Sequence, residues 1–141
     1  MRKPRSIRKF GADQQGTALV EFALVCPVLI AMVIGMVGWG SYFWMAHSVQ
    51  QVANDAARAA VAGLNATERS QLAKASAAEG VTDYAGLDAT RLTTKVTDRG
   101  DRAVISVSYD ASNSVAFAFA KIAPMPSSLI TRQAVVRLGG Y

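Results

Sequence analysis

The chain has 141 residues, enough for one small domain, and 51% of them are apolar. Its formal charge is +5, but residues 1–16 set Arg2, Lys3, Arg5, Arg8 and Lys9 against Asp13, so most of that excess lies at the N-terminus. The nearly balanced remainder offers no basic face and argues against nucleic-acid binding, which needs one.

After the basic cluster comes a long apolar run, residues 22–45, preceded by Glu21; no formal charge follows that acid until Asp55. About 20 such residues span a bilayer as a helix, and residues 22–44 cover roughly 33 Å at the helical rise. Trp39, Tyr42, Phe43 and Trp44 gather at the far end, where rings favour the membrane–water boundary. The cationic flank predicts a cytoplasmic N-terminus and a C-terminal part across the membrane. A cleaved secretory signal fits less well, because its apolar region should be about 7–15 residues with small residues after it. Pro27, inside the run, removes the bond to the Ala23 carbonyl and predicts a kink. Ala31 and Gly35 have the small-xxx-small spacing of helix contacts. Cys26, the only cysteine, has no partner for an intrachain disulfide and reads as a small buried hydrophobe.

Beyond the aromatics, Val49, Val52, Ala53, Ala56, Ala60 and Gly63 recur at helical spacing, so the helix should continue as a stalk to Gly63. Its alanine stripe fits either the chain's own domain or another helix. Asp55 and Arg58 can pair at i, i+3. Asn65 and Glu68 have capping-box spacing and predict a second helix over residues 66–79, stopped at Gly80. Leu92, Thr94 and Val96, then Ala103, Ile105, Val107 and Tyr109, alternate around the turn Asp98-Arg99-Gly100-Asp101 and predict a β-hairpin. Residues 114–123 fit a strand through Val115, Phe117 and Phe119, or a helix through Val115, Phe119 and Ile122. Residues 130–138 predict a third strand. The expected fold is α+β: a transmembrane helix continuing into a stalk, a short helix and about three antiparallel strands.

Catalytic signals are sparse. His47 stands alone beside the aromatics, which leaves no zinc site of the usual kind, and no phosphate-binding glycine loop follows a strand. Asp83, Asp88, Asp98, Asp101 and Asp110 fall at predicted turns and strand ends and read as solvated turn residues. The chain is expected not to be an enzyme and to hold no metal.

The most informative residue is Glu21. A carboxyl within an apolar span costs a few kcal/mol or more, so its retention calls for a reason. The stretch Gly16-Thr17-Ala18-Leu19-Val20-Glu21-Phe22, with Pro27 after it, resembles the N-terminus of type IV pilin-like proteins. With the alanine- and arginine-rich residues 51–60, it is most similar to the TadE-like minor pseudopilins of tight-adherence (Flp) pili. The resemblance is strong over residues 16–63 and only general beyond. It implies a leader, residues 1–16, removed by a prepilin peptidase between Gly16 and Thr17, with Glu21 and Phe22 as recognition or assembly residues. It also implies no cofactor and a role in pilus assembly or initiation. The implied partners are the prepilin peptidase, other minor pseudopilins, the major Flp pilin, the inner-membrane assembly platform and the lipid bilayer. The implied place is the inner membrane, with a periplasmic domain over residues 64–141, or a growing pilus. Glu21 could serve the peptidase, a neighbouring subunit or both. The competing classes are an unprocessed signal-anchored binding or sensor protein, and a membrane-tethered enzyme with a polar pocket in its distal domain.

Overall fold

A computed structural model describes residues 14–118, 120, 121 and 124–139. Most of the expected leader, residues 1–13, lies outside the described residues, as do Phe119 and Ile122 of the segment whose sequence fits both strand and helix.

The chain is built on one helix, α1 (Gln14–Val61), which is unbroken through Pro27. Its 48 residues span roughly 70 Å at 1.5 Å per residue. Its two halves meet different surroundings. From Leu19 to Val37 the large apolar side chains are exposed on every face of the helix, Leu19 and Leu24 at 72% and Phe22 at 68%. A helix apolar all round belongs in a core or a membrane, and among the described residues little covers it, Cys26 and Ile34 being half-buried. This half fits a single-pass membrane anchor.

The second half is the backbone of a small α+β domain. Met45, Val49, Val52, Ala53, Ala56 and Ala60 form its buried face, so the alanine stripe packs on the chain's own domain. Two elements receive it. Helix α2 (Ala66–Gly80) lies alongside and contributes buried Ala73 and Ala77. Strands β1 (Leu92–Asp98), β2 (Arg102–Asp110) and β3 (Leu129–Arg137) form an antiparallel sheet in chain order, with β2 central. Ala103, Ile105, Val107 and Tyr109 alternate inward from β2, as the period of two requires. Helix α1 covers β2 and β3, while α2 covers β1. Small side chains let the helices and the sheet approach closely around Ile105 and Val107, two of the largest fully buried side chains.

Local chemistry fixes the connections. Asn65 caps α2 by accepting the Glu68 N–H at 2.9 Å. Glu68 turns back as in a capping box, but accepts from the Leu64 N–H at 2.8 Å, one residue earlier than the usual partner. Gly100 takes a φ of +77°, which a side chain resists, and closes the hairpin. Arg99 N–H donates to Arg102 C=O at 2.8 Å across that turn. Asp55 and Arg58 pair at 3.6 Å on the exposed face of α1. The third strand begins and ends one residue earlier than its β-branched run predicts. In the segment that fits both patterns, a four-residue helix, α3 (Val115–Ala118), forms after strand β2.

Asp98 departs from its expected role as a solvated turn residue. It accepts from Arg69 Nε and Nη2 at 3.1 and 2.6 Å, with both side chains largely covered. Arg69 also donates to the Gly63 carbonyl at 3.1 Å, so one guanidinium ties the α1–α2 turn to the end of β1. This close approach explains Gly63: a Cβ there would meet Arg69 N at 2.6 Å and its Cα at 2.8 Å. Gly63→Ala should therefore cost about 1–3 kcal/mol, whereas Gly80→Ala, with nothing within 4 Å of the new methyl, should be neutral or gain up to about 1 kcal/mol. Thermal unfolding of the two detergent-solubilised variants checks the contrast.

Candidate functional site

The residues singled out at the N-terminus share one short stretch of α1. Gly16 and Thr17 lie near the N-terminal end of the described part of the helix, which runs from Gln14. Thr17 and Glu21 stand at i, i+4, on one face and about 6 Å apart in rise. Gly16, Thr17, Glu21 and Phe22 are all exposed. Pro27, six residues past Glu21, leaves the Ala23 carbonyl without its usual helical donor. Cys26 is half-buried rather than buried and is a free thiol. The arrangement is an exposed stretch at one end of an apolar rod.

At the other end of the apolar half, rings collar the helix. Trp39 and Phe43 lie 5.7 Å apart on one flank, with Tyr42 edge-on to both at 6.2 and 5.9 Å. Tyr42 also meets Phe117 of α3 edge-on at 6.3 Å. Trp44, 53% exposed, projects from another flank. His47 is exposed just above this collar. Ser48 is fully buried, and its hydroxyl donates back to the Trp44 carbonyl at 3.0 Å.

The distal acids do not converge. Asp88 accepts from the Thr90 hydroxyl and N–H at 2.7 and 2.9 Å, and these bonds hold its carboxyl below the usual carboxylate range. The Arg102 guanidinium does the same for Asp101 at 3.1 Å, and the Ser112 N–H for Asp110 at 3.0 Å. All three are exposed turn or strand-end groups. A cavity of about 660 Å³ at the junction of α1 with residues 113–116 is lined by Gly40, Trp44 and Met45 and carries no acid, histidine or amine. Among the described residues no cluster of His, Cys, Asp or Glu is arranged to hold a metal ion.

Sequence reasoning missed two features. One is the Arg69–Asp98 tie, whose partners lie 29 residues apart with no pattern linking them. The other is the return of the chain after β2 to α1 beside Gly38, where the Ala116 carbonyl oxygen would stand 3.5 Å from an added Cβ. Only the glycine hinted at it.

Residues 16–58 match the family model of TadE-like proteins, a segment that lies wholly within α1 and contains Gly16, Thr17, Glu21, Phe22 and Pro27. The match points to tight-adherence pilus systems. No curated protein and no solved structure matches the chain.

Two consequences can be measured. Ile30→Asp puts a second carboxyl mid-span at a cost of about 3 kcal/mol of insertion and should shift protein from the membrane fraction into the alkaline extract, whereas Glu21→Ala should stay membrane-bound. Because the carboxyls of Asp88, Asp101 and Asp110 are held below their ordinary 3.8, they stabilise the fold above that pH. Their contribution should be lost as pH falls below about 3.8, which acid titration followed by circular dichroism would register.

Proposed function

We propose that this TadE-like chain is a minor pseudopilin: it is cut after Gly16 by a prepilin peptidase and acts in assembly or initiation of a tight-adherence pilus, without catalysis of its own. One observation carries the reading. Gly16 and Glu21 sit five residues apart on a helix that is exposed and apolar for about the thickness of a bilayer.

The chemistry of each residue supports its role. Gly16 lets the protease backbone approach without meeting a side chain. Cleavage there discards the cationic leader and creates an α-amine on Thr17. In low dielectric a neighbouring subunit's carboxylate and that amine can offset part of each other's burial cost. Glu21 thus sets the register of one helix against another, and Phe22 packs beside it. Before processing, the basic leader keeps the N-terminus cytoplasmic and the domain periplasmic. The partners of the mature chain are the major pilin, other minor pseudopilins and the inner-membrane assembly platform.

The mature N-terminus decides the processing step. Mass spectrometry of the chain from a host with an active prepilin peptidase should find Thr17 first. An intact leader overturns the reading in favour of a signal-anchored binding or sensor protein. Glu21→Ala should still insert and be cut, yet yield several-fold fewer pili and lose co-purifying pilins. Failed cleavage of that variant would assign Glu21 to the peptidase instead, and normal pilus output would remove it from assembly.

A further inference from the structure

We infer that the domain has its own membrane-contacting surface: residues 115–118, 120, 121 and 124–126 lie in the interfacial layer of the bilayer on the domain's side. Depth is the argument. Rings at Trp39, Tyr42, Phe43 and Trp44 mark the boundary between the lipid-facing and domain-facing halves of α1. The domain does not begin above that mark. It reaches down to Gly38, where the Ala116 carbonyl oxygen and Met125 Sδ would lie 3.5 and 3.6 Å from an added Cβ. Gly38 is buried while its neighbours Val37 and Trp39 are exposed, so the contact is made by this returning chain alone.

Counting residues gives the same depth. A span of about 20 residues ending just before Gly38 begins at Ala18, immediately after Thr17. Ending the span at Trp44 instead would carry Ala116 and Met125, beside Gly38, roughly 9 Å deeper, by the helical rise from Gly38. Either placement puts them at or below the headgroups.

Their chemistry suits that layer. Val115 is 63% exposed, and Ala118, Ala120 and Pro124 are exposed beside it. Left in water, this face would be apolar surface with no cover. It is continuous with the lipid-exposed surface of α1, which makes lipid its natural partner. Lys121, also exposed, is long enough to lay its stem along the acyl boundary and reach phosphate. On the opposite flank, the cavity beside Trp44 opens at the same level, and Ser114 Oγ there is buried with no partner among the described residues. The domain is thus held against the membrane at two points, the helix and this returning chain, and its tilt relative to α1 is fixed by the bilayer as well as by packing.

The test uses the full chain in vesicles of phosphatidylethanolamine and phosphatidylglycerol, with Cys26→Ser and one added cysteine carrying an environment-sensitive fluorophore. A label at Val115→Cys should be blue-shifted and quenched several-fold more by nitroxides near the lipid headgroup than a label at Lys95→Cys, on the outer sheet face. Ala118→Cys reads the same face should the first variant misfold. Equal quenching at 115 and 95 overturns the inference. So does a label at 115 that resists lipid nitroxide and becomes water-exposed on dilution with excess lipid, since a second copy would then be the cover.

Discussion

Everything in this structure depends on one helix having two solvents. The first half of α1 offers apolar side chains in every direction, and the second offers a narrow stripe of alanine and valine. The change occurs without a break in the backbone, so the position of the domain is fixed by the same rod that crosses the lipid. A hinge between the two would need a loop, and there is none. Whatever force or contact acts on the apolar half is transmitted to the domain as rigid-body displacement, limited by helix bending near Pro27.

The alanine face has a consequence for stability. Alanine buries little area, so each residue adds less hydrophobic stabilisation than a leucine would. What it allows is close approach, with Ala53, Ala56 and Ala60 all fully covered. The core is consequently thin, and ties at its edges matter more than they would in a larger domain. Arg69 is the clearest of these. It joins the α1–α2 turn through Gly63 and the strand end through Asp98. Removing either partner would leave a half-covered charge, which is costlier than the pair is stabilising. The Gln50 amide plays a smaller part at the far edge, donating to the Gln133 carbonyl at 3.2 Å and occupying one acceptor on the open side of β3.

How legible this was in the sequence followed the range of the interactions. Features set by neighbours a few residues apart could be read: the span, the stripe, the Asn65 cap, the Asp55–Arg58 pair and the hairpin at Gly100. The short helix after β2 could not, because residues 114–123 fit a strand through Val115, Phe117 and Phe119 and a helix through Val115, Phe119 and Ile122, and the contact Phe117 makes with Tyr42 is long-range. Asp98 looked like a turn residue because turns favour aspartate; its partner lies on a different element. The N-terminal motif was legible for another reason. Its residues are exposed, so the fold constrains them little, and Gly16 and Glu21 stand out as violations of what a plain membrane span would choose.

Glu21 shows why such a violation is informative. A carboxyl at the start of the apolar run destabilises insertion, and Glu21 is exposed, so no packing among the described residues covers it. Selection for stability of the monomer would replace it with leucine. Its presence five residues past Gly16 therefore points to interactions that the monomer lacks. The same logic separates it from Pro27, whose freed carbonyl at Ala23 is a local matter that a neighbouring donor or water can satisfy. A charge in lipid calls for an opposite charge, and on this segment the proposed cleavage would create one, the α-amine of Thr17. Within one helix that amine and Glu21 share a face at fixed rise. Between two helices, sliding one rod along the other by about a turn brings them level. The acid is thus positioned to distinguish one axial register from its neighbours, which a smooth apolar surface does not do.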